Sequence, residues 1–122
     1  MSKSGNQKTK LLYLYRLLLR QTDEDHPLTV PQIIEELARN DIKAERKSIY
    51  DDLEALRLFG LDIQSRKGKV PGWFVGDRDF ELPEVKLLMD AVQSSRFITQ
   101  KKSDALIRKL EGLASVHQAG QL

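Results

Sequence analysis

Hydrophobic positions recur along the chain first at helical spacing, then in alternation, then again at helical spacing. Over residues 7–21, Leu11, Tyr15, Leu18 and Leu19 share one side of a predicted helix, while Leu12, Leu14 and Leu17 cover much of the rest. A helix apolar nearly all round is buried on more than one side, either as the central helix of a small core or with its far side against the C-terminal helices or a second subunit. The polar segment 21–28, which contains Pro27, reads as a loop. Thr29 then offers an N-cap, with Pro31 in the first turn and Gln32 at the third helical position. A second helix is predicted over about Val30–Ala38, with Ile33, Ile34 and Leu37 inward, ending at Asn40-Asp41. Ile49, Leu53 and Leu56, at spacings of four and three, predict a third helix from about Ala44 to Phe59, with Gly60 in the usual stop position.

The period then changes. Leu61 and Ile63 alternate with polar residues, Lys67-Gly68-Lys69 and Pro71-Gly72 supply turn chemistry, and Trp73, Phe74 and Val75 form a return strand. This predicts a two-stranded hairpin. From Leu82 the pattern is helical again, with Pro83 at the start and Val85, Leu88, Met89 and Val92 on one face. A last helix follows a cap at Thr99 or Ser103, with Ala105, Leu106, Leu110 and Leu113 on its apolar side.

Helix, helix, short turn, helix and hairpin within about seventy residues make a winged helix-turn-helix. The fold expected is mainly α, with three helices and a two-stranded wing followed by a two-helix C-terminal extension. Its domain layout is a flexible tail over 1–6, the winged unit over 7–79, a helical linker or dimerisation segment over 80–115 and a tail over 116–122.

Charge sharpens this picture through its distribution. The net charge of +2 is small, but residues 77–122 hold seven basic and seven acidic side chains, so the whole excess lies in residues 1–76. Residues 1–20 carry Lys3, Lys8, Lys10, Arg16 and Arg20 and no acid. A local basic end can meet phosphate even when total charge is modest, although a Lys-rich tail by itself is equally well a solvated one.

The third helix carries the functional reading. With Ile49, Leu53 and Leu56 inward, its outward and N-terminal positions include Arg46, Lys47, Ser48, Tyr50, Asp51 and Glu54. A major groove accepts such a helix, and its first turns reach base edges. Arg46 and Lys47 suit guanine edges or phosphates, Ser48 is a short donor, and Tyr50 can stack on sugar or donate to phosphate. Asp52 is expected as a structural partner for a basic residue. Arg66, Lys67 and Lys69 give a basic wing for backbone or minor groove. Thr29 and Gln32, at the start of the second helix, can turn N–H groups and side chains toward one phosphate. Double-stranded DNA is therefore the expected partner. The alternative is a winged helix used as a protein–protein module without DNA.

Other classes find less support. The chain has no cysteine, which excludes disulfides, thiolate metal sites and thiol nucleophiles. His26 and His117 fall in a loop and a tail with no paired spacing, so no metal, cofactor or catalytic residue is assigned and no enzyme is expected. Asp23, Glu24 and Asp25 read as solvated loop charge. RNA binding would call for aromatics exposed on a sheet; here one of Trp73 and Phe74 is expected to cover the core. The N-terminus is not a signal sequence, and the apolar run is too short to span a bilayer, so no membrane role and a cytoplasmic location are expected.

The run AERKSIYDDLEALRLFGLDI resembles the recognition-helix segment of the DeoR-like winged-helix domains that head WYL-domain regulators. In that family a basic-basic-Ser/Thr-Ile-Tyr stretch leads into an Asp-Leu pair, matched here by Arg46, Lys47, Ser48, Ile49, Tyr50, Asp52 and Leu53. The family often has a basic residue just before that Asp, where this chain has Asp51. The stretch from Phe80 to Ser115 resembles the helical linker that follows the wing in some of these proteins. The resemblance implies transcription regulation. It also implies an effector ligand acting only through a C-terminal WYL domain, which these residues do not supply, so the chain is expected to be part of a longer protein. A homodimer is expected on separate grounds, because the apolar stripe of residues 82–115 must be buried and two half-sites raise both affinity and discrimination.

Overall fold

The computed structural model describes residues 3–122, with side chains from Gln7 onward. It is mainly helical with one small sheet. In chain order the elements are α1 (Lys3–Gln21), α2 (Val30–Ala38), α3 (Arg46–Phe59), β1 (Ile63–Arg66), β2 (Gly72–Val75), α4 (Leu82–Ser94), α5 (Gln100–Glu111) and α6 (Val116–Ala119).

The three N-terminal helices close around one core. Leu14 and Leu18 of α1, Ile33 and Leu37 of α2, and Ile49, Leu53 and Leu56 of α3 are buried together, joined by Ile42 from the α2–α3 turn and by Ile63 and Val75 from the strands. On α2 and α3 the expected inward faces are the ones that pack. On α1 the face is turned: Leu14 and Leu18 are fully buried, whereas Leu11, Tyr15 and Leu19, expected on the inner side, are half-buried and Leu12 is exposed. α2 matches its predicted span, and the reason is local. The Thr29 hydroxyl accepts from Gln32 N–H while Gln32 Oε1 accepts from Thr29 N–H, a reciprocal cap that fixes the first turn.

β1 and β2 pair antiparallel, from Ile63 opposite Val75 to Arg66 opposite Gly72. The loop before α2 joins them. Leu28 and Trp73 exchange backbone hydrogen bonds of 2.9 and 2.7 Å, adding a one-residue third rung. Glycine is required beside it. Gly72 has φ 139°, and a Cβ there would lie 2.6 Å from the Leu28 carbonyl carbon.

Four features depart from expectation. α1 begins at Lys3, so residues 3–6 of the anticipated tail belong to its first turns, in a stretch free of proline; residues 1–2 lie outside the described part. α3 begins at Arg46 because Glu45 is extended and its N–H and carbonyl both bond the Ser48 hydroxyl. α5 starts after Thr99, one of the two expected caps, whose hydroxyl accepts from Lys102 N–H, but it turns Ser103, Ile107 and Leu110 inward and leaves Ala105 and Leu106 exposed. The C-terminal extension has three helices, not two. Ser115 caps the short α6 within the segment read as a tail, and its side chain is fully buried.

α4 and α5 pack on each other, with Val85 and Ser103 buried between the segments. α6 returns to α1. The buried Asp23 carboxylate accepts from the Ser115 hydroxyl and lies 2.8 Å from His26 Nδ1. The His26 and His117 rings stack with centroids 3.8 Å apart and 7° between planes. Arg78 donates to the carbonyls of Leu19 and Thr22 at the end of α1. The chain after the sheet is thus pinned to the C-terminal end of α1. Among the described residues no helix is long and apolar enough to cross a membrane.

Candidate nucleic-acid interface

Trp73 is where three surface elements meet. Its backbone bonds Leu28, the residue before the Thr29 cap of α2. Its ring meets Tyr50 of α3 edge to face, with centroids 6.0 Å apart at 71°. It is also the second residue of β2, just after the turn that carries Lys67 and Lys69. The start of α2, the N-terminal half of α3 and the hairpin tip therefore adjoin one another.

On α3 the cations differ in how firmly they are held. Arg46 donates to the Tyr50 hydroxyl at 3.2 Å and lies 5.7 Å from its ring centroid. This one-turn pair holds the guanidinium and the phenol side by side at the surface. Arg57, farther along, donates to the Ile63 carbonyl at 3.3 and 3.1 Å, pairs with Glu54 at 2.9 Å and lies 6.0 Å from the Trp73 ring centroid. α3 is thus fastened to the hairpin by Arg57 and Tyr50 on either side of Trp73. Lys47 is exposed, and among the described residues no carboxylate stands within ion-pair distance of it.

The hairpin divides similarly. Lys67 and Lys69 sit exposed at the tip without an ion pair among the described residues, and Gly68 between them has φ 112°, which a side chain would strain. Arg66 is not at the tip. It ends β1, half-buried, 5.5 Å from the Phe74 ring centroid and 3.7 Å from Glu24. An exposed pair of that length adds little stability and competes only weakly for another anion.

Several groups named from sequence are engaged locally. Ser48 Oγ donates to the Glu45 carbonyl at 2.9 Å, so this hydroxyl serves the helix start. Thr29 Oγ1 and Gln32 Oε1 satisfy each other's backbone N–H groups. What the start of α2 offers outward is therefore the exposed Gln32 side-chain amide nitrogen, since Pro31 has no N–H and Val30 is buried. Lys10, counted in the basic N-terminal excess, is buried, with its ammonium 2.9 Å from Asp52. Asp52 is the structural partner that its place on the helix led us to expect.

Among the described residues, the free cations of this face are thus Lys47, Lys67 and Lys69, with Arg46 buttressed by Tyr50. Asp51 stands among them, exposed and with no described cation within 4 Å. An exposed face with cations on a helix and on a neighbouring hairpin tip suits an extended polyanion better than a small enclosed ligand. Sequence reasoning missed the role of Trp73. Its signal was available in the spacing of Tyr50 and Arg57, seven residues apart on one helix side, but nothing local pointed to their shared partner. Among the described residues no group of three His, Asp or Glu side chains is arranged to hold a metal ion.

Comparison of the chain with protein-family models, with curated proteins and with solved structures finds no match in any of the three.

Proposed function

We propose that this chain is a winged helix-turn-helix that binds double-stranded DNA as the DNA-binding portion of a transcription regulator. The observation that carries the reading is the meeting of α3 and the hairpin tip at Trp73, each presenting cations that no described carboxylate neutralises. In this reading α3 enters a major groove by its N-terminal end, Arg46 and Lys47 meet base edges or flanking phosphate, and Tyr50 donates to a sugar or phosphate oxygen. Lys67 and Lys69 hold the neighbouring backbone. Two lysines at phosphate would contribute about −1.8 to the slope of log K against log [salt].

The reading continues with a homodimer on two half-sites, which raises both affinity and discrimination. The C-terminal helices connect it to a WYL domain through which an effector acts. Its place of work is the cytoplasm, and it performs no chemistry of its own.

A second reading has its own observation. The outermost line of α3 carries Asp51, Glu54 and Leu58, with Leu58 81% exposed, which suits a protein surface better than a phosphate backbone. A mobility shift on generic duplex at low salt separates the two. Retardation supports DNA binding, and its absence at tens of micromolar protein supports the protein–protein module.

A further inference from the structure

Beside α3, on the side away from the hairpin, an apolar groove runs between α1 and α3. Leu11, Leu12, Tyr15, Ala55, Leu56 and Phe59 line a hollow of about 400 Å³. Leu12 is 68% and Phe59 77% exposed. Lys10 beside Asp52 and Tyr15 beside Phe59 show that the two helices run in the same direction. The groove therefore lies along the C-terminal half of α3, at Ala55, Leu56 and Phe59, away from the end that carries Arg46 and Lys47, and can be occupied while that end is engaged.

A matching surface exists on the same molecule. Glu84, Leu87, Ala91 and Ser94 recur at spacings of three, four and three along α4, and all are exposed. They lie opposite Val85, which is fully buried, while Leu87 is 69% exposed. Leu87 and Ala91 are the apolar positions of this stripe, and exposed apolar positions four apart are what a helix inserts into the groove of another.

Charge selects the pairing. The described part of α1 carries Lys8, Arg16 and Arg20 at its surface and no acid, whereas residues 77–90 carry five acidic and two basic side chains. Packing α1 against α1 of a second copy would set like charges together. Packing α4 against α1 sets Glu84 and Asp90, about 9 Å apart along the helix, beside Lys8 and Arg16, about 12 Å apart. Each copy has both surfaces, so a two-fold arrangement satisfies both at once.

We propose that the α1–α3 groove receives the outer face of α4 from a second copy of this chain, reciprocally. This deepens the pairing within the proposed function and rests on association, not on DNA binding. The absence of cysteine makes the test clean. Proteins bearing Leu12→Cys and Leu87→Cys are prepared separately, mixed and oxidised. The mixture should give a cross-linked dimer at least about tenfold more abundant than either protein alone. A product from Leu12→Cys alone that exceeds the mixed product overturns the proposal. In sedimentation, the unmodified chain at tens of micromolar should be dimeric and Leu87→Asp monomeric with unchanged helicity; a monomeric unmodified chain also overturns it. A monomer that still binds duplex removes this inference and leaves the DNA reading standing. A correctly cross-linked dimer that binds no duplex does the reverse.

Discussion

Tyr50 of α3 and Trp73 of β2 meet edge to face with ring centroids 6.0 Å apart, and through this contact the position of the hairpin depends on the helix. Edge-to-face geometry sets the positive rim of one ring against the negative face of the other and adds to the area buried. Trp73→Ala should lower stability by about 2 kcal/mol, roughly half the cost of removing a fully buried tryptophan, because Trp73 is half-buried. It should also loosen the hairpin relative to α3 and weaken duplex binding. Tyr50→Phe keeps the ring contact but removes the Arg46 hydrogen bond, so it should leave urea unfolding nearly unchanged while lowering affinity. Equal effects of the two variants on stability would contradict this division.

Lys10 and Asp52 make a largely buried ion pair between α1 and α3, at 2.9 Å, with side-chain exposures of 3% and 20%. Lys10→Ala should cost about 3 kcal/mol, because it leaves a carboxylate without its counter-charge in a poorly hydrated place. The paired change Lys10→Met with Asp52→Leu should recover most of that loss. Chemical denaturation of the two variants measures both values. A Lys10→Ala protein as stable as the parent would show that the pair is better hydrated than its burial indicates.

Asp23 makes the attachment of α6 sensitive to acid. Burial pushes its carboxyl up, but hydrogen bonds from Ser115, His26 and the Asp25 N–H, with the His26 charge, outweigh this and hold it below the ordinary carboxylate value. A group whose folded pKa is depressed contributes stability above its unfolded pKa, and that stability is lost as pH falls through the lower folded value. Stability should therefore be independent of this group near neutrality, then decline below about pH 4. Asp23→Asn should cost about 1–3 kcal/mol at neutral pH and flatten the acid limb of the stability profile. An unchanged acid limb in that variant would assign the decline to other carboxylates.

Lys67→Ala with Lys69→Ala should weaken binding to all duplexes about equally. It should reduce the salt slope by about 2, since two phosphate contacts release about 0.9 counterion each. A loss confined to one duplex sequence would contradict a backbone role for the hairpin tip.

The tri-helical core and hairpin are legible in the chain because each buried face comes from one short periodic run. Ile33 and Leu37, Ile49, Leu53 and Leu56, and Ile63 with Val75 all occupy the side that spacing assigns to them. The start of α2 is legible because its cap is made by residues three apart. What could not be read depends on partners distant in sequence. Lys10 looks like one more solvent-facing lysine until α3 brings Asp52 beside it. The 116–122 segment looks frayed because the partners that order it, Asp23 for Ser115 and Gln21 for His117, lie more than ninety residues away. Arg66 has the right charge for the hairpin tip, but strand pairing with Gly72 sets it back beside Phe74.

The proposed function turns on whether the first turn of α3 reads DNA. A duplex selected from a random pool by the unmodified chain is the probe, and fluorescence anisotropy with the Arg46→Ala, Lys47→Ala double variant is the measurement. Both side chains are exposed, so circular dichroism should show an intact fold. Affinity for the selected duplex should fall by about a hundredfold or more, since each side chain that no longer reaches a base edge costs roughly 1–3 kcal/mol. Unchanged affinity in a folded double variant would contradict the assignment of α3 as the reading helix.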